Sequence, residues 1–374
     1  MSSESPLEGP DIPQEVFANS DERLIERAEE VIEKRRSSGL ENLVGGLQCM
    51  IINTEPARHR DAVEELLRYT GLSFEAAFEN QEIRAVVLKT ECSADFMITS
   101  RKNGATSFTR FNDFSKSRRL PNTRLESYVF ETTDIKSYVK IQKSLGVSFL
   151  TERIVEARDF LFIQTPPSMF TGNSIGFIQW RDRRGAYGAF KDSQPLDWRF
   201  EKPPHDYLGN IKYLDHSAAR VRAEERDSAI IEFMSLTNYN FQFTIYVKSL
   251  NSITNVARLS AKDFAMVFTS GVSPYVSDEV SGPTEKFIHN YGTRTHHIAF
   301  HTEKIDETFE AIKQDGMEFL VELVGSPDEG LKQTFTVQSP HTMLVNEYIH
   351  RYGDFDGFFT SSNVEVLTKA TEKQ

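Results

Sequence analysis

Cysteine is scarce in this chain of 374 residues: there are two, Cys49 and Cys92, and neither belongs to a Cys-x-x-Cys pair. That excludes a disulfide framework and a thiolate zinc site. No apolar run approaches the roughly 18 residues a membrane span needs, so no membrane partner is expected. Positive charge is in deficit, with 43 Lys and Arg against 55 Asp and Glu and a formal net charge of −12. A general affinity for nucleic acid or anionic lipid is therefore not expected either. The first residues lack the charged-then-apolar order of a secretion signal, which makes the reducing cytoplasm the expected compartment. What is present is 39% hydrophobic and 26% charged. That is ordinary for a globular protein, and the length suits two to three domains with a core that needs no covalent staple.

Residues 1–14 (MSSESPLEGPDIPQ) are polar, hold three prolines and are expected to be disordered. A helix is predicted over 20–36, capped by Asn19 or Ser20, with Leu24, Ile25, Ala28, Val31 and Ile32 at helical spacing. Beyond it, four stretches open with a strand, pass through a helix and end in further strands. They begin near residues 47, 125, 213 and 295. Their helices stop at or near Gly71, Gly146, Asn238 and Gly316, as glycine and asparagine favour.

The second and fourth stretches overlay without a gap. Residues 127–150 fall on 297–320, a constant 170 residues further on, with identities at Phe130/Phe300, Ile135/Ile305, Gly146/Gly316 and Phe149/Phe319 among others. The first and third match less closely, at an offset of 166 that gains one residue before Phe74 meets Phe241. A duplicated chain of two paired strand–helix–strand units is the reading. The domains expected are an N-terminal domain over 15–182, a linker over 183–212 and a catalytic C-terminal domain over 213–374. Residues 101–124 hold seven Lys or Arg and one Asp, interleaved with Phe108, Phe111 and Phe114. They read as a solvated loop whose phenylalanines pack inward.

Duplication gives a test for function, because a residue found in one half and missing from the other is not required by the fold. His216 falls opposite Met50, His297 opposite Ser127, and Glu347 opposite Phe177. Two imidazoles and one carboxylate are the set that holds Fe(II) on one face and leaves positions open for substrate and O₂. Strand alternation puts Glu347 on a face with Met343, Val345 and Ile349, where a carboxylate must be paired, protonated or bound to a cation. Arg351 is a rival partner for Glu347, and His296 is a rival for His297. Arg294 and Arg258 are candidate cations for a substrate carboxylate.

At these residues the sequence resembles the 4-hydroxyphenylpyruvate dioxygenase family of the vicinal oxygen chelate superfamily. The matching segments are LDH (214–216), HIAF (297–300), QTFT (333–336), LVNEYIHR (344–351) and, loosely, GFFTSSNV (357–364). The resemblance is clear over 213–367 and architectural over 47–182. It implies an α+β fold of two domains, each of paired βαβββ modules curved around a central cleft, with N- and C-terminal helices. It implies Fe(II) held by His216, His297 and Glu347, and a 2-oxo acid substrate oxidatively decarboxylated with O₂. Gln333 and Phe335 would line the substrate pocket, and the tail with Phe358, Asn363 and Val364 would close over it. Two positions depart from the family: Val364 stands for a ring-stacking phenylalanine, and His296 for a glutamine. A hydroxymandelate-synthase-like or ring-cleaving enzyme, or a metal-free binding protein, are the alternatives, and a homodimer is compatible with all of them.

Overall fold

The computed structural model describes residues 18–189 and 192–374; the expectation for 1–14 lies outside them. Helix α1 (Glu22–Ser38) turns its apolar stripe inward through Leu24, Ala28 and Val31. Asp21 stands at its N-cap without a side-chain cap bond, in place of the expected Asn19 or Ser20. Asn19 is used elsewhere: its amide donates to the carbonyls of Ala223 and Gly271.

The first half supplies strands β1 (Val44–Asn53), β2 (Ser73–Glu79), β3 (Ile83–Lys89), β4 (Asp95–Arg101), β5 (Arg124–Thr132), β6 (Val155–Glu156), β7 (Phe160–Gln164), β8 (Ser174–Trp180) and β9 (Gln194–Pro195). They form one sheet in the order β6-β7-β8-β5-β1-β4-β3-β2-β9. Helices α2 (His59–Tyr69) and α3 (Ile135–Ser144) cross between the parallel pairs β1/β4 and β5/β8.

The second half repeats the plan with β10 (Ile211–Arg220), β11 (Asn240–Val247), β12 (Ser252–Arg258), β13 (Ala265–Ser270), β14 (Arg294–Thr302), β15 (Val324–Ser326), β16 (Leu331–Phe335) and β17 (Val345–Arg351). Their order is β11-β12-β13-β10-β14-β17-β16-β15. Here α4 (Arg226–Leu236) and α6 (Ile305–Gln314) are the crossovers, joined by α5 (Pro283–Tyr291) and α7 (Ser361–Ala370). Each sheet is thus two βαβββ modules meeting at an antiparallel central pair, β1/β5 or β10/β14. Gly146 and Gly316 end α3 and α6 at φ +88° and +98°, a left-handed turn that L-residues resist.

One continuous core joins both halves, running from Leu24, Met50, Phe96 and Phe130 to Phe233, Phe300 and Tyr348. Helix α1 packs on α4, and Arg35 donates to the carbonyls of Thr237 and Tyr239 at 3.0 Å each. The Tyr128 hydroxyl bonds Ser217 and Thr295 across the two halves. The connection between the halves lies along the first sheet at β9, which pairs with β2, and at Trp198 and Phe200, which pack on His59 and Phe74. In the basic loop, Phe108 and Phe111 are buried while Arg110, Lys116, Arg118 and Arg119 face outward. Among the described residues no helix is long and apolar enough to cross a membrane.

Candidate metal centre

The triad is built on three neighbouring strands of the second sheet. His216 on β10 pairs with Ala299 on β14, and Ala299 pairs in turn with Glu347 on β17. His297 lies two residues before Ala299 on the same strand. The small Ala218 and Ala299 between these side chains leave the space they fill. One atom from each of His216, His297 and Glu347 lies within 4.8 Å of the other two. His216 Nε2 is 3.1 Å and His297 Nε2 3.3 Å from Glu347 Oε2.

Two β-bulges aim the side chains around this point. The register slips between Leu214 and His216, and again where Ala218 and Ala219 face His297 and Thr295. The extra residues are Asp215 and His296. A bulge turns its extra side chain out of strict alternation. As a result Asp215 reaches the ring of its own neighbour His216, and His296 reaches that of His297.

The hydrogen bonds leave each triad residue one free lone pair. Asp215 Oδ1 accepts from His216 Nδ1 at 2.8 Å, which places the free pair on Nε2. Asp215 is held in turn by both Nη atoms of Arg351, Nη2 at 2.9 Å. Arg351 is therefore the partner of Asp215, not of Glu347. His296 Nε2 is 2.8 Å from the side-chain oxygen of Gln374, which only accepts, so this nitrogen carries the proton. His296 Nδ1 then accepts from His297 Nδ1 at 2.9 Å, leaving His297 Nε2 bare. Gln333, with its amide turned to donate, reaches Glu347 Oε1 at 3.0 Å and the Phe358 carbonyl at 3.2 Å. His216 Nε2, His297 Nε2 and Glu347 Oε2 are buried without a hydrogen-bond partner.

Three convergent buried acceptors are costly unless a cation satisfies them. Their chemistry fits a divalent metal, with Asp215, His296 and Gln333 as the outer partners that orient such ligands. Without the ion, burial opposes charge on His216, but Glu347 and Asp215 outweigh it and hold the imidazole up at about 9. Burial, reinforced by His296, His216 and Arg220, holds His297 well below its ordinary value. Burial also works against the Asp215 charge, yet hydrogen bonds from His216 and Arg351 prevail and keep that carboxyl well below its usual range.

The structure spreads the other sequence-predicted residues around this centre. The Phe335 ring lies 4.8 Å from that of His297, and Phe358 meets His216 edge-on at 5.3 Å. Phe335 and Val364 line a cavity of about 30 Å³ beside His297, with Leu367 and Thr368 of α7 forming its outer wall. Such a space holds about one water, too little for an organic acid unless the cavity widens. Asn363 is turned away from that cavity, with its amide nitrogen 3.5 Å from the Leu331 carbonyl. Arg294 is engaged by the Thr123 carbonyl, and Arg258 lies against Asp356 and Phe358. The guanidinium that does line the cavity is Arg220, which sequence reasoning passed over.

The strand register corrects two of the inter-half pairings. Cys49 faces Val129 as His216 faces Ala299, so Cys49 stands in the place of His216, not Met50. Gly176 faces Val129 as Glu347 faces Ala299, so Gly176 stands in the place of Glu347, not Phe177. The segment before β17 is one residue longer than its counterpart before β8, which a gapless overlay cannot register. Ser127 keeps its place opposite His297. The metal-ligand pattern is therefore missing from the first sheet at all three positions.

This is the vicinal oxygen chelate fold. Within it, the chain is similar to a triple mutant of 4-hydroxymandelate synthase from Streptomyces coelicolor, at TM-score 0.64 and 17% identity over 88% of this chain and 98% of that one. It is also similar to a xylose isomerase-like TIM barrel/4-hydroxyphenylpyruvate dioxygenase fusion protein, at TM-score 0.63 and 13% identity over 92% of this chain and 57% of that one. No family model and no curated protein matches the sequence.

Proposed function

We propose that the chain is an Fe(II)-dependent dioxygenase that oxidatively decarboxylates a 2-oxo acid. The observation that carries this reading is the convergence of three buried acceptor atoms, each from a side chain whose other polar atom is occupied. His216, His297 and Glu347 would hold the ion on one face. When bound, the metal supplies a chelation site for the oxo acid and the activation of O₂. The chain's own contribution is to fix the imidazole tautomers, to orient Glu347 through Gln333, and to exclude water beneath α7. Residues 213–374 form the catalytic lobe in this reading and 15–182 the supporting one. The proposed compartment is the reducing cytoplasm, in keeping with the two unpaired thiols.

Anaerobic purification followed by metal analysis tests the reading. Close to one Fe(II) per chain is expected, with most of it lost in both His216→Ala and Glu347→Ala. Aryl and aliphatic 2-oxo acids should then give a visible charge-transfer band and, on admitting air, CO₂. Full iron content in either variant, or oxygen uptake without CO₂ release, would refute it. The likeness to 4-hydroxymandelate synthase over nearly that protein's whole length favours a second, closely related reading, hydroxylation beside the new carboxylate. Product analysis separates the two.

A further inference from the structure

Arg220 is a buried cation without a counter-charge. It lies on β10 four residues beyond His216 and on the same face, roughly 13 Å further along the strand at about 3.3 Å per residue. It is 4% exposed. Its contacts are one long approach of Nη1 to the Pro283 carbonyl at 3.5 Å, and the Phe287 ring, 4.4 Å from the guanidinium carbon. No carboxylate among the described residues pairs with it. Of the other deeply buried arginines, Arg226 pairs with Asp21 and Asp227, while Arg294 and Arg124 donate to the carbonyls of Thr123 at 2.8 Å and Thr293 at 3.2 Å and keep an unpartnered Nε; Arg220 differs from both in lining the same cavity as His297. Burial lowers the Arg220 guanidinium to about 9, which leaves it charged at neutral pH.

Arg220 lines the same cavity as His297. Between and around them the wall carries the hydroxyls of Ser252, Thr254, Thr269 and Thr284. Ser252 and Thr284 are 3.3 Å apart, and the Thr269 hydroxyl is buried without a partner. A guanidinium set among hydroxyls, that of Thr269 without a partner, offers donors to a group that only accepts. Charge points the same way. A divalent cation held by one carboxylate would leave one positive charge in excess, and Arg220, 4% exposed, adds a second. A phenol or alkyl end would leave that second charge unanswered.

We infer that the substrate of this site carries a second carboxylate at the end remote from its oxo-acid group, received by Arg220 and the surrounding hydroxyls. The inference rests on the proposed oxo-acid chemistry and names the substrate class within it: 2-oxo dicarboxylic acids.

The test is calorimetric titration of the anaerobic, Fe(II)-loaded protein with 2-oxoadipate and 2-oxohexanoate, which share a six-carbon chain and differ in the distal carboxylate. The diacid is expected to bind at least about tenfold more tightly, as a charge-assisted pair in a desolvated site allows. Arg220→Gln should erase the preference while keeping its iron, and Arg220→Lys should keep part of it. Equal binding of the two acids, binding of neither, or an undiminished preference in Arg220→Gln would overturn the inference. The comparison in unaltered protein stands even if a variant misfolds. Metal content, measured in the same samples, reports separately on the triad: a protein that takes up no iron refutes the proposed function itself.

Discussion

Cys49 and His216 occupy the same register of the two sheets, each paired with the second residue beyond the position that carries Ser127 in one half and His297 in the other. The same backbone thus supports a thiol in one place and an imidazole in the other, and nothing in the fold itself demands the histidine. The first sheet's version of the site is a cavity of about 250 Å³ lined by Cys49, Ser127 and Val129. At the position of Glu347 it has Gly176, where an added Cβ would lie 3.1 Å from both Phe162 and Val129. Gly176→Ala is therefore expected to destabilise the protein by about 1–3 kcal/mol through overpacking. Chemical denaturation monitored by fluorescence measures this, and an unchanged midpoint would show that Phe162 and Val129 yield freely.

Asp215 fixes the tautomer of His216 while neutralising Arg351. Asp215→Asn keeps the volume but removes the charge, leaving the Arg351 guanidinium unanswered in a mostly buried position. Divalent-metal affinity is expected to fall about 10–100-fold, the usual effect of losing an outer partner of a ligating histidine. Competition against a chromophoric chelator gives the number.

His296 accepts the proton of His297 Nδ1, a task an amide oxygen can also perform. His296→Gln is expected to retain metal affinity within about threefold, whereas His296→Leu should lose about 10–100-fold. Equal losses in both variants would mean that the ring of His296 matters for its bulk rather than for its acceptor nitrogen.

His59 starts α2 and is fully enclosed, with Nε2 donating to the Ile98 carbonyl at 2.8 Å and Nδ1 beside the Ser100 hydroxyl at 3.0 Å. Burial lowers its pKa to about 4 from an ordinary 6.5. The unfolded chain therefore binds the extra proton across that interval and the folded one does not, so stability falls as pH drops from about 6.5 to about 4. The contribution at stake is about 3 kcal/mol. His59→Gln should flatten this limb of the stability profile, read from urea midpoints between pH 4 and 7.

The modular plan was legible because the second and fourth modules keep equal spacing from strand to helix stop, and because glycine marks both stops. The triad was legible through asymmetry: two histidines and a glutamate appear where the other half has residues of unrelated chemistry. The counterparts were misplaced by one residue for two of the three. A register shift is a property of a strand pair and leaves no mark on either strand alone. Helix α5 went unread because TSGVSPYVSDEVSGPTEKF has no apolar period until its last residues. Arg220 escaped notice for a related reason: an arginine closing an apolar strand looks like a solvent-facing end, and only the packing of α5 and α7 over it reveals the enclosure.

The apolar interior that passes without interruption from Leu24 to Tyr348 has a consequence for how this molecule can be handled and inherited. Severing the backbone near residue 200 would give two fragments, each with a raw hydrophobic wall and each prone to precipitate alone. The half that carries the triad cannot be lent to another protein as a ready-made cassette, and the other half persists as the surface against which its partner is shaped.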